Sequence, residues 1–321
     1  MFAVRGLAVS FSMFVMFYIA LSVAVCCLWR TVWRYSRQVS ARRCADWLFV
    51  LRMIPLAGAA IVTLAFAVPS FLLLEPRVTD EPLGGLSLTL GLCGVAALLA
   101  GIWKATAALL RVSRTIAHWS REANAIDSSA AGFDHAVPLM RISAPAPPLT
   151  AAGLVRPSVW LSGAAEFVLN ERELRSALRH ELVHVRHRDN LRKLALCLVI
   201  FPGMAELESA WREATEMAAD DAAVSSSSEA LDLAAAVIKL SRLASLQVPL
   251  ELTTALVHTP AESVNARVER LLAWTGPGQS QASELSLRYV LFACATMLAT
   301  VALTYSQLLV RVHAATEWLV R

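Results

Sequence analysis

Four stretches of the chain are apolar over the length needed to cross a bilayer, and they limit the fold more than any other feature. They cover residues 6–29, 53–74, 86–110 and 289–310. A helix of about 20 residues spans the roughly 30 Å of hydrocarbon in a membrane. In lipid, backbone polar groups must be bonded within the segment, so single stretches of this kind must be helical. Lys104 falls late in the third stretch, where a long side chain can reach the interface. Pro55 and Pro69 fall near the ends of the second. Across 321 residues the chain is 57% hydrophobic and 17% charged, against about half and a quarter in soluble domains. The first stretch is too long for a cleaved signal core, and no small-residue cleavage site closes it before Arg30. The expectation is a mostly α membrane protein with four transmembrane helices.

Arginines set the orientation. Arg30, Arg34, Arg37, Arg42 and Arg43 lie between the first two stretches, whereas "EPRVTDEP" between the next two holds one Arg against Glu75, Asp80 and Glu81. Basic loops stay on the cytoplasmic side. Residues 1–110 therefore read as three spans with a basic cytoplasmic loop at 30–52, and both termini lie outside. Residues 111–288 form a cytoplasmic domain, which Arg111, Arg114 and Arg121 open, and 311–321 form a short outer tail. The six cysteines show no CxxC spacing, and four lie in the apolar stretches. They suggest neither a disulfide framework nor a thiolate metal site. The net charge of +4 comes mostly from arginines near the membrane. Without a basic helix or interleaved aromatics, the expected partner is the lipid bilayer and no direct nucleic-acid partner is expected.

Within the cytoplasmic segment, residues 111–124 continue the third span as a helix. Residues 125–148 are rich in small residues and proline and read as a linker. "LTAAGLVRPSVWLSG" reads as a short hairpin around Gly153 and Arg156-Pro157, with Val159, Trp160 and Leu161 in a strand. That strand is a candidate to pair with an extended substrate. Asn170 followed by Glu173 makes a capping box for one helix over 171–200, ended by Pro202-Gly203. Further helices are expected over 206–225, 229–246 and 261–274.

The first of these helices carries His180-Glu181-Leu182-Val183-His184. Positions i and i+4 share a helix face, so His180 and His184 can place two imidazole nitrogens on one Zn2+. Glu181 lies one position on, within reach of a water at that ion and suited to act as general base. A hydrolytic zinc site needs a third protein ligand and an open position for water. His187 sits about 10 Å along the axis from His180, too far for one tetrahedral ion. The next helix offers Glu213, Glu216, Asp220 and Asp221. Among these only Glu216 has an Asp four residues on, so Glu216 is the candidate third ligand. Asp220 then accepts the other ring N–H of a zinc-bound histidine, which fixes its tautomer. Ala214, Ala218, Ala219, Ala222 and Ala223 make this helix thin enough to approach the metal helix closely.

Together, "GLVRPSVWLS", "ELRSALRHELVHVRHRDNL" and "EMAADDAAV" resemble the BlaR/MecR-type membrane metallopeptidases. The resemblance extends over most of the chain. It implies a cytoplasmic α+β gluzincin domain between the third and fourth spans of a bacterial inner-membrane protein. Residue by residue it implies His180, His184 and Glu216 as zinc ligands, Glu181 as general base, Asp220 as a supporting carboxylate, and a structural role for Asp189. The implied activity is zinc-dependent endopeptidase cleavage of a cytoplasmic protein, in signalling to a transcriptional repressor or on the chain itself, with 125–148 as the self-cleavage candidate. Sensors of that family carry an extracellular penicillin-binding domain after the fourth span. This sequence stops at Arg321, so no β-lactam input of that kind is expected. Two other readings stay open: a membrane-protein quality-control protease, and a non-catalytic signalling scaffold with a structural zinc site.

Overall fold

The computed structural model describes residues 2–36, 39–76, 84–126, 137–142, 147–244, 253–255, 261–276 and 285–320. Among these the protein is mostly helical, with a small mixed sheet. Three helical segments are long and apolar enough to cross a membrane: Phe2–Arg34, Ala41–Leu74 and Gly85–Glu122. The first lies in α1 (Phe2–Ser36). The second comprises α2 (Ala41–Val62), a π-helical turn (Thr63–Ala67) and α3 (Val68–Leu74). The third is α4 (Gly85–Glu122), whose end continues past the apolar stretch as expected.

The basic segment 30–52 is not an extended loop. Arg30 and Arg34 lengthen α1, and Arg42 and Arg43 open α2, whose N-terminus is capped by Ser40. Arginine is a strong helix former, so the helices run on past the hydrocarbon-length cores. The π-turn has a local cause. Pro69 has no N–H to give the carbonyl four residues back, and its ring crowds that carbonyl. Ala65 O instead accepts from Tyr305 Oη at 2.7 Å, and Thr63 O accepts from the Val68 N–H. Tyr305 belongs to α11 (Leu285–Val320), which runs through residues assigned above to the outer tail.

The sheet has the order β1-β2-β4-β3-β5. Its strands are β1 (Ala123–Ile126), β2 (Leu139–Ile142), β3 (Leu149–Ala152), β4 (Ser158–Ser162) and β5 (Thr253–Ala255). The β3–β4 hairpin matches the sequence reading. The linker reading of 125–148 does not survive at β1 and β2, while 127–136 and 143–146 lie outside the described residues. Leu139 and Ile142 are buried, and burial rather than propensity makes this short piece a strand among prolines. β4 is also not free to capture a substrate. It pairs parallel with β2 on one side and antiparallel with β3 on the other.

One sheet face packs Leu139, Leu149, Val159 and Leu161 against Leu178 and Leu182 of α6 (Glu171–Arg186) and against Leu233, Val237 and Leu240 of α9 (Ser227–Ala244). Short α5 (Gly163–Val168) joins β4 to α6. The opposite face meets the end of α4, where Trp119 packs on Trp160 with ring centroids 5.6 Å apart. The remaining helices are α7 (Asp189–Cys197), α8 (Ala205–Ala223) and α10 (Ala261–Leu272). Leu48 of α2 is buried with Leu207 and Trp211 of α8. A Cβ at Gly101 of α4 would stand 2.5 Å from Leu198 O at the end of α7. α8 and the end of α7 thus rest directly on the apolar bundle.

Candidate metal centre

α6 begins as the sequence indicates. Asn170 Oδ1 accepts from the Glu173 N–H at 2.9 Å, and Glu173 Oε2 accepts from the Asn170 N–H at 3.0 Å. The helix then stops at Arg186 instead of running to 200. Arg188 takes a left-handed conformation, φ 53°, and α7 starts afresh at Asp189. In an unbroken helix Asp189 would sit about 140° around the axis from His184. The break turns it back, and its Oδ2 lies 2.7 Å from His184 Nδ1. Asn190 also turns inward, donating to Ala151 O at 3.1 Å and so tying α7 to β3.

Asp220, on α8, does for His180 what Asp189 does for His184: its Oδ1 lies 3.0 Å from His180 Nδ1. With each Nδ1 facing a carboxylate, the two Nε2 atoms converge at 3.1 Å. Glu216, also on α8, faces the same point, with Oε2 3.4 Å from His180 Nε2 and Oε1 3.6 Å from His184 Nε2. Ligand bonds of 2.0–2.2 Å in a tetrahedron put neighbouring donors about 3.3–3.5 Å apart. The donor set therefore fits a zinc-sized ion with two imidazoles and one carboxylate. Both histidines are buried. His187 caps the end of α6, partly exposed.

Arg267, on α10, was not singled out by the sequence reading. It is 1% exposed and donates to both oxygens of Asp220, through Nε at 2.8 Å and Nη2 at 2.7 Å. Its Nη1 lies 3.0 Å from Glu216 Oε2. A signal for it exists. Val264, Arg267 and Leu271 follow helical spacing along one buried face, and a charge on such a stripe needs a buried partner.

These contacts set the charge states. Burial alone would raise the Glu216 carboxyl, yet Arg267 and the two histidines hold it down to about 2. Asp220 is held still lower, against its burial, by Arg267 and His180. Burial opposes a charge on His180, but Asp220 and Glu216 together push it up to about 9. Glu181 is fully buried. Burial pushes its carboxyl up, and His184 and His180 pull it partly back. Its Oε2 accepts from the Ala151 N–H at 2.9 Å, so β3 fixes the candidate base.

β5 pairs antiparallel with the edge of β3 away from β4, with Ala151 opposite Thr254. Beside His184 a cleft of about 370 Å³ is walled by the β3–β4 turn, including Leu154, Val155 and Pro157, and by Leu191. Gly153, with φ 106°, forms that turn; a Cβ there would stand 2.8 Å from Arg156 O. No protein-family model matches the chain, and no curated protein matches it.

Proposed function

We propose that this protein is an integral-membrane zinc metalloendopeptidase that cuts a cytoplasmic protein. The observation that carries the reading is the convergence of His180, His184 and Glu216, which offer one donor atom each within 4.8 Å of one another, beside a buried Glu181. Zinc held there supplies the Lewis acidity that makes a water nucleophilic near neutral pH and polarises a scissile carbonyl. Glu181 takes the water's proton and delivers it to the leaving amine. A carboxyl lifted by burial suits that exchange, because acceptor and donor roles must both be reachable near neutral pH. Asp220 and Asp189 lie against the two Nδ1 atoms and leave both Nε2 atoms to hold an ion. The cleft beside His184 takes an apolar side chain of the substrate.

The membrane reading places four spans in a bacterial cytoplasmic membrane, with the catalytic domain inside and both termini outside. A crossing by α11 is supported by its register against the second span. Tyr305 bonds Ala65, Ser70 bonds Leu309, and His313 faces Glu75, so the two run in the same direction. For the substrate, the family resemblance favours a transcriptional repressor or the chain itself. β5 favours the second. It lies antiparallel on the strand that anchors the base, where an extended substrate would pair, so an incoming chain must displace it or be it. This moves the candidate self-cleavage segment from 125–148 to the chain around β5. Membrane-protein quality control remains the alternative enzymatic role. A scaffold with a structural zinc has no use for a buried carboxylate at Glu181.

The test is Glu181→Gln in the full-length, zinc-loaded protein in micelles. Zinc content stays the same, and cleavage, including self-cleavage read by mass spectrometry, falls about 10²–10⁴-fold. Unchanged cleavage refutes the catalytic role. Undiminished zinc binding in Glu216→Ala removes the third ligand.

A further inference from the structure

We propose that Glu75, His313 and Glu317 form a second binding site, for a divalent transition-metal ion such as zinc, at the outer end of the helix bundle. The three residues offer ligand atoms within 4.8 Å of one another. His313 and Glu317 are spaced i,i+4 on α11 and share a face, as His180 and His184 do on α6. Glu75 comes from the end of α3, as Glu216 comes to the catalytic pair from a second helix.

The details favour a cation over a simple helix staple. The Glu75 side chain is 6% exposed, and its Oε1 lies 3.1 Å from an Arg5 nitrogen. Its other oxygen faces His313 Nδ1 at 3.9 Å. That Nδ1 is buried and has no hydrogen-bond partner among the described residues. His313 Nε2 lies 3.6 Å from Glu317 Oε1. These gaps are too long for hydrogen bonds and slightly longer than the edges of a tetrahedral zinc site. The two carboxylates face different ring nitrogens and an ion takes one of them, so Glu317, 48% exposed, is the arm that moves to join His313 Nδ1 and Glu75. Arg5 meets one oxygen of the buried Glu75 while the other faces the ring, and a buried charge needs compensation. A divalent ion supplies it, and mixed imidazole–carboxylate donors suit zinc-class ions. Arg5 occupies one Glu75 oxygen and leaves the other to the ion.

The site is separate from the catalytic centre. Arg5 opens α1, whose other end reaches α8 through the Arg30–Glu206 ion pair. The rise of 25 positions from Arg5 to Arg30 corresponds to about 38 Å of helix, more than a bilayer's hydrocarbon thickness. An ion here joins the outer ends of α3 and α11 on the face opposite the proposed protease. The proposal does not depend on catalysis.

Zinc titration of the full-length protein in micelles tests it. The unaltered chain is expected to bind two molar equivalents. Glu317→Gln, at a position 48% exposed, weakens one equivalent at least about tenfold. His313→Ala abolishes that equivalent and keeps the other, which serves as the control for folding. Glu216→Ala acts on the remaining equivalent, so the two sites succeed or fail separately. If Glu317→Gln binds zinc with the affinities and stoichiometry of the unaltered chain, the site is overturned.

Discussion

Zinc binding at the candidate metal centre should release a proton from His180, and the size of the effect follows from its surroundings. In the metal-free protein Asp220 and Glu216 push His180 up to about 9 against its burial. A metal ligand must be a neutral imidazole. At pH 7 about one ring in a hundred is neutral, a penalty of about 3 kcal/mol on zinc affinity. Raising the pH from 7 to 8 should tighten binding about tenfold, and the gain should level off near pH 9. Chelator-competition titrations at fixed ionic strength measure this directly. Stability must move in the opposite sense in the metal-free form. A histidine raised above its ordinary 6.5 contributes stability that is complete below about pH 6.5 and is lost as pH rises through about 9. Metal-free unfolding midpoints should therefore fall across that window, while zinc-loaded midpoints should not. Asp220→Asn removes the largest upward push and should shift the pH dependence of zinc binding toward the ordinary histidine range. A zinc affinity that is flat between pH 7 and 8 would refute the assignment of a charged His180 to the metal-free state.

Three further outcomes follow from individual contacts. Arg267→Met leaves Asp220 and Glu216 buried without their guanidinium; it should cost about 3–5 kcal/mol of stability in the metal-free protein, read by denaturant unfolding in micelles, with part of the loss recovered on adding zinc. Asp189→Asn keeps the shape but cannot hold His184 as a carboxylate does, and zinc affinity should weaken about 10–100-fold. Gly101→Val forces α4 away from Leu198 O, with an expected loss of about 1–3 kcal/mol and a lowered zinc affinity; unchanged unfolding would show that this close approach is not required.

The parts of the structure visible in the sequence are those with a local code. Long apolar runs became long helices. The Asn170–Glu173 pair became a capping box. The His180/His184 spacing put two rings on one face because helical periodicity alone dictates it. Glu216 and Asp220 could be paired because they share a face of one helix. What was not visible needs partners distant in sequence. β2 is a strand because its neighbours bury it, and a short piece among prolines carries no such signal. The break at Arg188 was missed because "HRDN" was read as part of a continuous helix, although Asp189 and Asn190 favour starting a new one. Arg267 was missed because only the folded chain brings α10 against α8, though its place on an apolar stripe was a readable clue.

The Arg188 break also bears on how the bundle holds the metal centre. Asp189 stands on His184 through one oxygen, while its other oxygen lies 3.8 Å from Arg42 at the start of α2. Arg42 in turn pairs with Asp46 at 3.2 Å, and Asp46 accepts from Arg192 of α7 at 2.6 Å. An unbroken helix over 171–200 could not make this connection, because Asp189 would point away from His184. The same turn that orients the His184 imidazole thus places its supporting carboxylate against the first turn of a membrane-length helix. Leu48 and Trp211 bury α2 against the helix that carries Glu216. α2 therefore touches both halves of the ligand set, through charge at Asp189 and through packing at α8. A shift of α2 along its axis would bear on Asp189 and on α8 together, whereas α9 meets the histidine helix through the Arg179–Glu229 and Lys239–Glu173 ion pairs.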